Sequence, residues 1–187
     1  MLVKGIYKIV MVFMLLVFFT ACAPARKNGG EDLSYVKDAI RVSLSSTTDL
    51  NFYNNQSHTV VLIFYQLSEP NIFNQMLESP DGIVKLLEAK PFDASDLSRR
   101  SLVVQPGEFR EVMMDRVQGA RYIAAIAGYY SLKGPQISRV TPIKVESFQS
   151  FFWRKIDSAP KMQFNLRLGS DSFVKANPKQ TQTPVKK

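Results

Sequence analysis

Thr59-Val60-Val61-Leu62-Ile63-Phe64-Tyr65-Gln66-Leu67 is apolar at odd and even positions alike, so as an extended strand it turns apolar side chains to both faces. Such a strand belongs inside a sheet that is covered on both sides. Upstream, Ile40, Val42 and Leu44 alternate with Arg41, Ser43 and Ser45, the period-two pattern of a strand with one wet face. Met162, Phe164, Leu166 and Leu168 alternate with Gln163, Asn165 and Arg167 in the same way. Residues 122–130 are a second stretch apolar on both faces, broken by Lys133-Gly134-Pro135, and residues 139–145 make a further strand. Residues 100–105 and 109–114 flank Pro106-Gly107-Glu108, whose proline and glycine suit a reversal, so the pair reads as a hairpin.

The cover for the central strand comes directly after it. Ile72, Phe73, Met76 and Leu77 recur at helical spacing, and Asp81 is expected to cap a second short helix carrying Val84, Leu86 and Leu87. About seven short strands at turn-separated intervals, with one short helical insertion, predict a mainly β protein: a β-sandwich over residues 36–169.

At the N-terminus Lys4 and Lys8 precede an unbroken apolar run over residues 9–19 and then Thr20-Ala21-Cys22, the layout of a secretory signal peptide. At about 1.5 Å per residue the run spans roughly 17 Å, short of a hydrocarbon core of ~30 Å. An uncleaved anchor that continues through Ala25 is the alternative. Cys22, the single cysteine of 187 residues, follows a small residue, and Phe19-Thr20-Ala21-Cys22 resembles the bacterial lipobox, with phenylalanine where leucine is usual. The resemblance implies a signal peptide over residues 1–21, cleavage before Cys22 and lipidation of that cysteine. Burial of acyl chain is worth about 0.8 kcal/mol per CH₂, so the three chains of a mature bacterial lipoprotein hold essentially permanently. Ala23 stands where aspartate would retain such a protein, which by the same resemblance favours the outer membrane.

Residues 22–35 are small, polar or charged around Gly29-Gly30 and read as a tether. Residues 170–187 read as a basic, disordered tail, because four lysines beside Pro178 and Pro184 cannot bury enough apolar surface to fold alone. Loss of residues 1–21 leaves 166 residues with 22 Lys and Arg against 16 acids, a charge of about +6. The aromatics lie inside apolar runs and the chain is addressed for export, which argues against nucleic acid as a partner.

Catalytic groups are not recognisable. His58 is the one histidine, so neither a metal site nor a relay can be assembled around a second. Asp93-Ala94-Ser95-Asp96 reads as a solvated helix start or loop rather than a hydrolytic pair. Gly107 lies in a turn and Gly128 in a strand, neither in a phosphate-cradling loop. No enzyme, metal or cofactor is expected, apart from the covalent lipid.

Taken in order, Leu50-Asn51 opening the first loop, residues 60–67 ending in Tyr65-Gln66-Leu67, Phe73 at the inserted helix, Pro106-Gly107, and Tyr122-Ile123-Ala124-Ala125-Ile126-Ala127-Gly128-Tyr129-Tyr130 resemble the type VI secretion outer-membrane lipoprotein family, TssJ or SciN. The resemblance covers residues 40–168. Two positions depart from it: Phe52 follows the loop asparagine where proline is common, and Ser138-Arg139 stands where the family often has Trp-Arg. The resemblance implies a transthyretin-like sandwich, anchored in the outer membrane and facing the periplasm. It implies a non-catalytic scaffold that binds the periplasmic C-terminal region of TssM within a TssJ-TssL-TssM-like membrane complex. The family's loop between the first two strands helps make that contact and falls here on Asn51, Phe52, Tyr53, Asn54, Asn55 and Gln56. The alternative for the loop is a plain turn at Asn54-Asn55 with Phe52 packed inward. The alternatives for function are a ligand- or glycan-binding lipoprotein seeded on Trp153 in Phe151-Phe152-Trp153-Arg154, or an assembly lipoprotein of another secretion system.

Overall fold

The computed structural model describes residues 33–144 and 162–174. The signal peptide, Cys22, most of the tether, the Trp153 cluster and the tail beyond Val174 lie outside the described residues. Along the chain run β1 (Val36–Ser46), β2 (Val60–Leu67), α1 (Asn71–Met76), α2 (Pro80–Leu87), β3 (Asp96–Val104), β4 (Phe109–Arg116), β5 (Tyr122–Ala127), a 3-10 turn (Gly134–Gln136), β6 (Ser138–Pro142) and β7 (Met162–Leu168). Two sheets form, ordered β4-β1-β7 and β3-β2-β5-β6, and they make the expected β-sandwich.

Period-two alternation decides the inner layer. Ile40, Val42 and Leu44 of β1 and Phe164 and Leu166 of β7 are buried, and across the core the Phe64 ring meets the Phe164 ring edge to face, centroids 6.4 Å apart. Alternate residues of β2 point the other way. Tyr65 lies 5.5 Å from Phe73 and 5.7 Å from Phe92, centroid to centroid, and its hydroxyl donates to the Leu86 carbonyl. Burial pushes that phenol well above its ordinary pKa. The neighbouring strand makes room: Ala125 sits opposite Phe64 and Ala124 opposite Tyr65, so large and small side chains alternate across the pair.

The helical cover differs in detail from its expectation. Ser79, not Asp81, caps α2; its hydroxyl accepts from the Gly82 N–H at 3.1 Å. Pro80 occupies the first helical position, where its missing N–H costs nothing, and this moves Asp81 into the first turn. Phe73, Leu77, Ile83 and Leu86 face the sheet, whereas Ile72 and Val84 are exposed.

Residues 100–114 are not a hairpin. β3 pairs with β2 in one sheet and β4 with β1 in the other, so the chain crosses between layers at Pro106-Gly107. The crossing is pulled toward the end of β1, where Ser46 N–H donates to the Glu108 carbonyl and Gly107 N–H to the Thr47 carbonyl. Two side chains then close the seam between the layers. Gln66, buried, donates to the Asp115 carbonyl at 2.7 Å and accepts from Val117 N–H at 2.9 Å, while Arg100 donates to the Met113 carbonyl at 3.0 Å.

Strand limits shift as well. β3 starts at Asp96, ahead of the expected residue 100; β5 ends at Ala127, although Gly128 N–H still donates in register to the Val61 carbonyl of β2; β6 ends at Pro142. Both flanks are tied down further than expected. Leu33 and Ser34, assigned to the tether, accept bonds from Gly119 N–H and the Arg116 guanidinium, and Phe173, assigned to the tail, is buried with its N–H on the Gln136 carbonyl. No helix among the described residues is long and apolar enough to cross a membrane.

Asp115 carries a pH dependence. Its carboxylate accepts from Asp38 N–H at 2.8 Å and from the Tyr35 hydroxyl at 2.5 Å, and those bonds hold its pKa below the ordinary 3.8. Asp38 has φ of 52° beside an irregularity in the β1–β4 pairing, so the bond supports a conformation L residues seldom adopt. A depressed carboxyl pKa contributes stability in full above the unfolded value, and that contribution disappears as pH falls through the folded value. Urea unfolding at pH 6 and pH 3 is therefore expected to differ less in Asp115→Asn than in the parent chain. Equal pH sensitivity would contradict this role.

Candidate functional site

The loop between β1 and β2 is assembled around Asn51. Leu50 before it is fully buried and anchors the loop in the core. Asn51 takes a left-handed φ of 48°, which asparagine tolerates better than most residues, and is itself buried. Its side-chain oxygen accepts from Tyr130 N–H at 2.9 Å, and its amide donates to the Thr59 carbonyl at 3.3 Å. Asn51 N–H reaches the Gly169 carbonyl and Phe52 N–H the Ser170 carbonyl, at 3.3 and 2.8 Å. One residue thus ties the loop to the exits of β5 and β7.

Beyond it the chain makes a miniature hairpin. Tyr53 and Gln56 exchange both backbone bonds, at 2.9 and 3.0 Å, around Asn54 and Asn55 with φ of 50° and 61°. Positive φ at both central residues defines a type I′ turn, in which asparagine is favoured. The hairpin holds Phe52 and Tyr53 in the open, 50% and 49% exposed. Tyr53 stacks on Tyr130 with centroids 4.5 Å apart and planes inclined by 21°, and His58 meets the same tyrosine edge-on at 5.0 Å. His58 Nδ1 lies 3.3 Å from the Asn51 carbonyl. The result is a ledge of two stacked tyrosine rings and an imidazole, with the exposed Phe52 next to it in the chain and the amides of Asn54, Asn55 and Gln56 on the same loop.

Of the six loop residues read from the sequence, five are exposed together. Asn51 is the exception: its side chain is spent on Tyr130 and Thr59, so it positions the loop from beneath. Phe52 does not pack inward. Tyr130 and His58 belong to the ledge although the sequence pattern does not place them there, because Tyr130 reads as the end of an apolar strand. The chain leaves β5 at Ala127, so alternation no longer reports where Tyr130 points. The available signal is the Tyr129-Tyr130 pair at the strand exit, of which Tyr129 is buried and Tyr130 exposed.

The remaining polar candidates are engaged elsewhere. Asp93 accepts from Ser95 N–H and hydroxyl, a local turn. Asp96, read as solvated, has a fully buried side chain; burial raises its pKa, opposed by the Arg99 guanidinium at 2.9 Å. The pair pins the start of β3 rather than lining a cleft. Among the described residues no group of three or more His, Cys, Asp or Glu is placed to hold a metal ion.

The site is thus an exposed aromatic ledge on the loop edge of a β-sandwich, and comparison with known proteins shows the class that carries this fold. The family model described as type VI secretion lipoprotein (VasD, EvfM, TssJ) matches residues 38–171, and the chain belongs to that family. No curated protein sequence matches the chain. Solved structures share its fold at low identity. The Serratia marcescens Lip protein, a membrane bound component of the type VI secretion system, is 16% identical with a TM-score of 0.57, covering 78% of this chain and 98% of that one. The type VI lipoprotein TssJ1 from Pseudomonas aeruginosa is 14% identical with a TM-score of 0.54, over 75% of this chain and 93% of that one. A chain of the structure described as the TssM C-terminal domain (869-1107) from EAEC is 13% identical with a TM-score of 0.53, over 72% and 94%.

Asn51→Ala removes the partners of Tyr130 N–H and the Thr59 carbonyl and places alanine at a left-handed φ. Leaving such groups unpaired costs about 1–3 kcal/mol. Urea unfolding is expected to show a loss in that range; a loss under about 0.5 kcal/mol, the scale of an ordinary surface change, would contradict the role.

Proposed function

We propose that this chain is the outer-membrane lipoprotein of a type VI secretion membrane complex and serves there as a non-catalytic scaffold. Lipid on Cys22 holds it in the outer membrane with the sandwich in the periplasm, and the ledge binds the periplasmic C-terminal region of TssM. The pairing of family membership with a pre-set aromatic ledge on the loop between β1 and β2 carries this reading. Solved chains of like fold include one from a TssM C-terminal domain structure, which supports the choice of partner.

The ledge suits the task physically. Aromatic side chains give large contact area with few torsions to freeze, and the Asn51 clip has already ordered the backbone, so association loses little loop entropy. Two grips then follow from one small domain: acyl chains on the membrane side and stacked rings on the protein side. No covalent step is needed for a link of this kind.

The test is binding of the cognate TssM periplasmic region to the full chain in detergent. Central aromatic anchors typically contribute about 2 kcal/mol or more when truncated, about thirtyfold in affinity. Phe52→Ala with Tyr53→Ala is expected to weaken binding by at least about tenfold while the thermal unfolding midpoint moves little, since both side chains are half exposed. Unchanged affinity in that variant would place the contact elsewhere, and no binding by the parent chain at micromolar concentration would refute the partner.

A further inference from the structure

The helices do not cover the whole outer face of the β3-β2-β5-β6 sheet. An open groove of about 720 Å³ lies between them and β6. Leu77 and Ile83 of the helical segment, with Leu132 and Val140, give it apolar walls. Its shape is fixed by backbone contact: a Cβ on Gly134 would lie 2.1 Å from the Leu77 carbonyl oxygen, and one on Gly82 would lie 2.2 Å from that of Met76. Only glycine permits these approaches, so the 3-10 turn is locked against the helices.

One wall of the groove is an open sheet edge. In the antiparallel β5–β6 ladder, Ala127 N–H donates to the Ile137 carbonyl and Ile143 N–H to the Arg121 carbonyl, with Ala125 opposite Arg139 and Ile123 opposite Thr141. The alternation of an antiparallel pair then turns the N–H and C=O of Ser138 and Val140 away from β5. Among the described residues no strand pairs with that edge. Pro142, which lacks an N–H, ends the row.

The rim is charged but unmatched. Lys133 and Arg139 stand on the β6 side and Glu78 on the helix side, and none of them takes part in the ion pairs among the described residues. An unpaired edge, an apolar trough beside it and two cations along it fit an extended chain better than a helix, which would leave the edge groups unsatisfied.

We propose that this groove receives an extended, acidic peptide segment of the periplasmic partner, which adds as a fifth strand along β6. The inference rests on the partner reading above and gives that partner a second contact, separate from the aromatic ledge. Backbone bonds from Ser138 and Val140 supply the attachment, side chains of the segment fill the trough over Ile83 and Val140, and a carboxylate meets Lys133 and Arg139.

Val140→Pro deletes an N–H that the added strand would use and keeps the β5 ladder, whose bonds come from residues 139 and 141; proline is tolerated at such an edge. The full chain in detergent is titrated with the TssM periplasmic region, and amide exchange is followed in free and bound states. The expected result is binding weaker by at least about tenfold for Val140→Pro, and exchange of the Ser138 and Val140 amides slower by at least about tenfold in the parent complex. Lys133→Glu with Arg139→Glu is expected to weaken binding and flatten its salt dependence. If the parent binds while both amides keep exchanging as in the free chain, strand addition is overturned and the partner reading stands. Strand addition is equally overturned if those amides are already protected without partner, since this chain's own residues then cover the edge. No binding by the parent overturns both. The exchange measurement decides even if Val140→Pro fails to fold.

Discussion

The side-chain amide of Asn51 makes the bonds on which the order of the loop end of the molecule depends. It joins three segments that no sheet joins at that point: the loop after β1, the chain entering β2 at Thr59, and the exit of β5 at Tyr130. Tyr130 lies beyond the last ladder residue of β5, so without the Asn51 oxygen its backbone has no regular partner to fix it. Tyr53 in turn stacks on that ring. Aromatic pairs add only about 0.5–1.5 kcal/mol beyond area, so the stack cannot order the loop alone and needs the backbone set first.

Beneath the ledge, β2 supports both layers with consecutive residues. Phe64 points into the sandwich and Tyr65 into the helical cover, each beside an alanine of β5, and Gln66 then closes the seam with Asp115 and Val117. A buried amide in such a strand is stable only because both its donor and its acceptor are used. The same economy appears at Asn51. These two buried side-chain amides connect elements that backbone ladders leave apart, which is why they lie at the seam and the loop and not within the sheets.

Alternation made β1, β2 and β7 legible, since each lies in a sheet with a defined inside. It could not report which sheet a strand joins: Pro106-Gly107 signals reversal, but whether β4 returns to β3 or crosses to β1 depends on bonds from Ser46 and Thr47, far away in sequence. Ser79-Pro80 was a readable cap and first-turn pair that Asp81 obscured. In the sequence the turn at Asn54-Asn55 goes only with the alternative in which Phe52 packs inward; the turn is present, with φ of 50° and 61°, but Phe52 stays exposed. The burial of Asn51 was not legible, because its partners lie 8 and 79 residues away. Phe173 shows the same limit at the C-terminal flank, where a lone aromatic in polar sequence turns out to close the end of the core.

Rigidity is what makes an anchored domain effective as a tether: it transmits force or position to a partner only if its contact surface does not yield. Asn51 is then expected to influence partner affinity only through the ledge it sets. A double-mutant cycle between Asn51→Ala and Tyr53→Ala, read as affinity for the TssM periplasmic region, tests this directly. The prediction is strong non-additivity, with the double variant losing scarcely more affinity than Asn51→Ala alone. Fully additive losses would contradict the claim that Asn51 acts by positioning the ledge.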